Sequence, residues 1–140
     1  MAEHSIVFKN EISEISRLHD YLVEVGEDAK IDEFLLESLN LAVEEAVVNV
    51  INYAYPEGEE GEVKIAASDD GKSVTFTISD QGKPFDPTQA KEADITLSAE
   101  DREIGGLGIH LIRSIMDEVK YQRTPDGKNV LTLTKFFDNN

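Results

Sequence analysis

Val63-Lys64-Ile65-Ala66-Ala67, Asp69-Asp70-Gly71 and Val74-Thr75-Phe76-Thr77-Ile78-Ser79 form the stretch on which the fold reading turns. Two β-prone runs flank a turn-forming Asp-Asp-Gly, and this predicts a hairpin with strands at Val63–Ala67 and Val74–Ser79. Toward the N-terminus, the spacing predicts a helix of about 20 residues, capped by Asp32, running to Ala54 and stopped by Tyr55-Pro56-Glu57-Gly58. Before it, Ile12, Ile15, Leu18, Leu22 and Val25 recur at helical spacing, with Gly26 as the expected stop and Ser5–Lys9 as a short strand. Toward the C-terminus, residues 81–104 carry Gly82, Pro84 and Pro87 and little periodicity; such a long loop is usually functional or disordered. Leu107, Leu111, Ile112, Ile115 and Met116 mark a last helix, and Glu118–Arg123 and Val130–Phe136 a final strand pair around Pro125-Asp126-Gly127. This order implies one domain over residues 1–140. Its class is α+β: a two-layer α/β sandwich whose mixed, mostly antiparallel sheet carries helices on one face.

The composition narrows the chemistry. The chain has 140 residues, 40% hydrophobic and without cysteine, so thiolate metal sites, thiol nucleophiles and disulfides are excluded. Residues 1–20 hold charges throughout and no apolar signal core, and no apolar run approaches the ~18 residues of a membrane span. The expected location is the cytoplasm. The net charge of −16 repels nucleic acid and anionic membranes and favours a basic protein partner. Any bound polyphosphate must therefore be held by local chemistry: backbone amides, a helix N-terminus or a cation. His4, His19 and His110 do not cluster at metal-ligand spacing and read as surface or helix-edge residues.

Three segments carry candidate chemistry. On a helical wheel Leu36, Leu39, Val43, Ala46, Val47, Val50 and Ala54 fall on one face, with Glu45, Asn49 and Asn52 in a stripe on the other. A solvated face would give the same stripe. Against that, Asn costs up to about 0.7 kcal/mol relative to Ala in a helix interior, and Leu41, a turn before Glu45, is apolar. Glu45 and Asn49 at i, i+4 lie ~6 Å apart; the amide oxygen suits Mg²⁺ and the carboxylate can hold a water or hydroxyl. Glu44 points about 100° away and reads as surface. The second segment is Asp80-Gln81-Gly82-Lys83-Pro84-Phe85, where a strand-end carboxylate can accept from an exocyclic amine and Gly82 permits a positive φ or close backbone approach. An ordinary Asp-x-Gly turn is the plainer alternative. The third is Gly105-Gly106-Leu107-Gly108, whose amides at a helix start attract phosphate; a hinge before a helix is the alternative. A Rossmann fingerprint is rejected, because Leu111 occupies the third glycine place and no strand precedes the loop, and no Walker lysine occurs.

In their fixed order, Glu45-Ala46-Val47-Val48-Asn49, Asp80-Gln81-Gly82-Lys83-Pro84-Phe85-Asp86-Pro87 and Gly105-Gly106-Leu107-Gly108-Ile109 resemble the N box and two glycine boxes of the GHKL (Bergerat-fold) ATPases. The branch they look like is the bacterial anti-sigma-factor serine/threonine kinases. That resemblance implies ATP and Mg²⁺ as cofactors, with Asn49 ligating the metal and Asp80 bonding the adenine amine beside Gly82. It implies that Gly105, Gly106, Leu107 and Gly108 wrap the phosphates and that Glu45 is the catalytic base. It further implies a STAS-type anti-anti-sigma substrate, a sequestered sigma factor, and a homodimer through the first strand, where Phe8 lies, and the first helix, with Arg17 a candidate partner contact. One departure is visible. Where the family often has Gly-Thr before the last strand, this chain reads Gly127-Lys128-Asn129-Val130. Lys83, Lys91 and Arg102 are candidate phosphate contacts or plain loop charges. Two functions stay open: a kinase, favoured by the intact Glu45–Asn49 spacing, and a non-catalytic ATP-binding module that regulates by sequestration. A fragment of a histidine kinase or gyrase-like protein is disfavoured by the chain's own N-terminal strand and helix.

Overall fold

The computed structural model of the chain describes residues 3–56, 58–89 and 106–137. The elements run β1 (Glu3–Lys9), a 3₁₀ turn, α1 (Ile15–Ala29), α2 (Glu33–Asn49), a π-helical turn (Val50–Ala54), β2 (Glu62–Asp69), β3 (Ser73–Asp80), a second 3₁₀ turn (Pro87–Gln89), α3 (Gly106–Ile115), β4 (Glu118–Arg123) and β5 (Asn129–Phe136). One sheet has the order β1-β2-β3-β5-β4. Every pairing in it is antiparallel, which corrects the expected mixed sheet. The reason is that β3 and β5, joined through α3 and β4, pair antiparallel, so no right-handed parallel crossover is needed.

Burial follows strand parity. Val63, Ile65 and Ala67 of β2 and Val74, Phe76 and Ile78 of β3 face the helices and share one core with Leu18 and Leu22 of α1, Leu39, Val43 and Val47 of α2 and Ile109 and Ile112 of α3. The hairpin turn is built as its residue types require. Asp70 Oδ1 accepts from the amides of Lys72 (2.9 Å) and Ser73 (2.7 Å), and Gly71 takes φ 84°. Asp32 caps α2 as expected, its Oδ2 accepting from the Leu35 amide at 3.3 Å.

Three local expectations are corrected. α1 runs through Gly26 to Ala29 and stops at Lys30, which takes the left-handed φ of 58° while the Ile31 amide donates to the Gly26 carbonyl at 2.9 Å. Gly26 serves packing instead: a Cβ there would lie 2.6 Å from Leu36 Cδ2, where α1 meets α2. The long second helix is α-helical only to Asn49, and its last turn is π. The first strand, expected as a dimer edge, is an edge strand, but the Phe8 side chain is buried in the core and Ser5, Val7 and Lys9 are the exposed ones.

Phe76 is fully buried at the centre of the sheet. Phe76→Ala is expected to lower the free energy of unfolding by about 3–5 kcal/mol, read from the midpoint of urea denaturation.

Candidate functional site: the turn after β3 and the end of α2

Asp80 is the last residue of β3 and has the inward parity of Val74, Phe76 and Ile78, so its carboxylate enters the helix-facing side and is only 4% exposed. Burial pushes its pKa up; hydrogen bonds from Asn129 and the Gly82 amide, with the Arg123 charge, oppose that rise. Both bonds fall on Oδ1, from the Gly82 amide at 2.8 Å and from Asn129 Nδ2 at 2.9 Å. Among the described residues none donates to Oδ2, so the carboxylate keeps one open acceptor.

The chain from Gln81 to Phe85 is pinned on two sides. On the α2 side, the Lys83 amide donates to the Ala54 carbonyl at 2.8 Å, and the Gln81 amide donates to the Tyr55 hydroxyl at 3.0 Å, which donates to the Glu62 carbonyl at 2.7 Å. A Cβ on Gly82 would sit 2.3 Å from the Ala54 carbonyl oxygen, so only glycine fits. Close approach is thus the reason for Gly82; it is not among the glycines with positive φ. The Phe85 ring meets Tyr53 with centroids 5.4 Å apart. On the sheet side, Arg123 Nη1 donates to the Gly82 carbonyl at 2.8 Å, and Asn129 Nδ2 also donates to the Lys83 carbonyl at 2.8 Å. Asn129 Oδ1 accepts from the Phe85 amide (3.2 Å) and the Tyr121 hydroxyl (2.5 Å). The Lys83 side chain is exposed and takes no part in this pinning. From α3, Arg113 Nη2 donates to the Thr88 carbonyl at 2.6 Å.

Asn49 ends α2 proper, just before the π turn. It is 5% exposed, and its buried Nδ2 has no hydrogen-bond partner among the described residues. The wheel put Asn49 in one stripe with Glu45 and Asn52. In the fold the stripe divides: Asn52 is exposed, Glu45 is half-buried and Asn49 is buried. A wheel treats a helix as having one neighbour, whereas α2 packs against both the sheet and α3. Leu41 is 44% exposed, so its apolar character does not argue for a dry stripe. Glu44 is as half-buried as Glu45, and exposure does not separate the two.

Gly106, Leu107 and Gly108 form the first turn of α3, so their backbone amides are those a helix leaves without internal acceptors. Gly105, Lys91 and Arg102 lie outside the described residues. No bond joins Asn49 to Asp80 directly among the described residues. What links them is the π turn, five residues long, which carries Asn49's helix to the Ala54 carbonyl and so to Lys83. Asn129 went unassigned in the sequence. Its signal was the register of the last hairpin: Gly127 at φ 86° closes the turn so that Asn129 opens β5 opposite Asp80. The histidines stand apart from this region, with His4 against Asp28 at 2.7 Å and His19 and His110 exposed.

The pKa of Asp80 is raised on folding, so the stability it lends is present below the ordinary carboxylate range and is lost as pH rises through the raised value. Stability of Asp80→Asn relative to the parent chain is therefore expected to increase from about pH 3 to pH 7, measured by urea denaturation at each pH.

Comparisons with known proteins place the chain in a family. The histidine kinase-like ATPase domain family matches residues 8–135. The serine/threonine-protein kinase BtrW of Bordetella bronchiseptica is 35% identical over 97 residues, 69% of this chain and 68% of that protein. The serine-protein kinase RsbW of Bacillus subtilis is 34% identical over 92 residues, 62% of this chain and 57% of that protein; the RsbW of Oceanobacillus iheyensis is matched over 56% of its length. The crystal structure of the RsbU and RsbW domains of a Mycobacterium tuberculosis protein superposes over 97% of this chain and 32% of that one, with TM-score 0.68 and 17% identity, a likeness of fold. The chain belongs to the histidine kinase-like ATPase domain family, in the GHKL branch that includes the RsbW and BtrW serine kinases.

Proposed function

We propose that this chain is an ATP-dependent protein serine/threonine kinase that phosphorylates a STAS-type anti-anti-sigma protein and, between reactions, sequesters a sigma factor. The observation that carries the reading is a buried carboxylate just before the pinned turn and a buried orphan nitrogen just before the π turn to which it is pinned. Among the described residues, none donates to Asp80 Oδ2 and none partners the Asn49 side-chain nitrogen. An unpaired buried amide nitrogen costs about 1–3 kcal/mol, a cost that an acceptor atom of a bound ligand would relieve. Kinship with proteins named serine kinases supports the reaction type.

In this reading Asp80 Oδ2 accepts from the base amine, and Gly82 lets the turn lie against α2. The first-turn amides at Gly106, Leu107 and Gly108, joined by Gly105, face the phosphates, where a helix N-terminus favours negative charge. The residues present fit a magnesium ion: the Asn49 amide oxygen is a hard ligand of the right kind, and bound Mg²⁺ would supply charge neutralisation on the phosphates. Glu45, one helical turn before Asn49, holds the attacking hydroxyl and takes its proton. Phosphoryl transfer asks chiefly for positioning and charge stabilisation, which such a site offers within a chain of net charge −16. The same charge suits a basic partner surface. The edge of β1, with Val7 exposed, is where a second copy would pair.

Incubation with labelled ATP and a serine-bearing STAS protein tests the activity. Transfer is expected with the parent chain, and Glu45→Gln is expected to slow it about 10²–10⁴-fold with ATP affinity retained. Tight ATP and partner binding without any transfer would favour the sequestering module instead. In calorimetry, the magnesium-dependent part of ATP binding is expected to vanish in Asn49→Ala; equal binding by both proteins would contradict the cation assignment.

A further inference from the structure

The hydrogen bonds of Asn129 have directions that backbone chemistry dictates. The Phe85 amide can only donate, so the atom facing it at 3.2 Å must be the amide oxygen. The Lys83 carbonyl can only accept, so the atom facing it at 2.8 Å must be the nitrogen. Tyr121 adds a second donor to the oxygen at 2.5 Å. With the amide so fixed, the remaining Nδ2 hydrogen points at Asp80 Oδ1, 2.9 Å away, where the Gly82 amide also donates. Oδ1 therefore cannot carry a proton. Any proton on Asp80 would have to sit on Oδ2; burial favours such a proton, and the two donated bonds oppose it by stabilising the charged form. Asn129 is 4% exposed, so this chain of bonds works out of bulk water, where its polarity counts most.

We propose that Tyr121 and Asn129 are positioning residues that fix Asp80 as a pure acceptor, so that the site selects a purine with an amino group at position 6 over one with a carbonyl there. A 6-amino group donates to Oδ2. A 6-oxo group would set two acceptors face to face, and a site that leaves a buried polar group unpaired rejects the mismatched ligand strongly. Tyr121 acts through Asn129, and Asn129 through Asp80. The proposal rests on the reading that Asp80 meets the base.

The test compares ATP with ITP, which differ at position 6 in this way, by calorimetry with Mg²⁺ on the full chain, its Asn129→Asp variant and its Tyr121→Phe variant. Asn129→Asp keeps size and shape but turns the donor into a second carboxylate, and two facing carboxylates share a proton. The parent chain is expected to prefer ATP at least tenfold. Asn129→Asp is expected to bring the ATP-to-ITP ratio close to one, and Tyr121→Phe to lower it by a smaller factor. A purely structural role for Asn129 would weaken both nucleotides together and leave the ratio unchanged, which would overturn the proposal. Should Asn129→Asp fail to fold, Tyr121→Phe decides: a ratio equal to the parent's overturns the proposal. Equal binding of ATP and ITP by the parent overturns it too. A parent chain that binds neither nucleotide refutes the underlying nucleotide reading, a result distinct from the others.

Discussion

The burial of one carboxylate, Asp80, is the constraint on which the arrangement depends. A charge taken out of water is costly unless hydrogen bonds replace its hydration. Here the replacements come from the Gly82 amide and from Asn129, and each carries a structural demand. The Gly82 amide reaches Asp80 only if the chain folds back at once, which pushes Gly82 against the Ala54 carbonyl. Asn129 reaches it only if the β4–β5 hairpin closes tightly enough to start β5 opposite the end of β3. One buried charge thus couples the end of α2, the turn after β3 and the last hairpin.

That coupling explains the end of α2. A regular α-helix would carry its last carbonyls on around the axis, whereas the π turn at Val50–Ala54 widens the final turn and brings the Ala54 carbonyl to the Lys83 amide. Just before it, Asn49 is held buried with its nitrogen unpaired among the described residues. An apolar residue there would be more stable by the ordinary rules of packing and hydrogen bonding. Departures from those rules concentrate at functional sites, and this one stands beside a second, the raised pKa of Asp80.

Much of this was legible in the residues. The Asp69-Asp70-Gly71 turn, the Asp32 cap and the strand positions follow from local chemistry, which acts within a few residues and so can be read from the chain. The illegible parts all depend on a distant neighbour. Gly26 looked like a stop because its contact with Leu36 is made between helices. Asn49 looked half-solvated because α3, which packs on α2, begins more than fifty residues later. Asn129 lies in the stretch that departs from the family's Gly-Thr, and only the pairing of β3 with β5 reveals that it occupies the place beside Asp80. The motif order identified the family because family motifs summarise such distant contacts, which a single motif does not.

The central claim is that Asp80, Asn49 and the start of α3 hold a single nucleotide. A crystal structure of the chain with a non-hydrolysable ATP analogue and Mg²⁺ tests it most directly. The account predicts the base amino group at hydrogen-bond distance, roughly 2.8–3.2 Å, from Asp80 Oδ2, the metal on the Asn49 amide oxygen, and the phosphates over the amides of Gly106–Gly108. A nucleotide bound elsewhere, with the Asp80 carboxylate and the Asn49 amide still without a ligand, would contradict it.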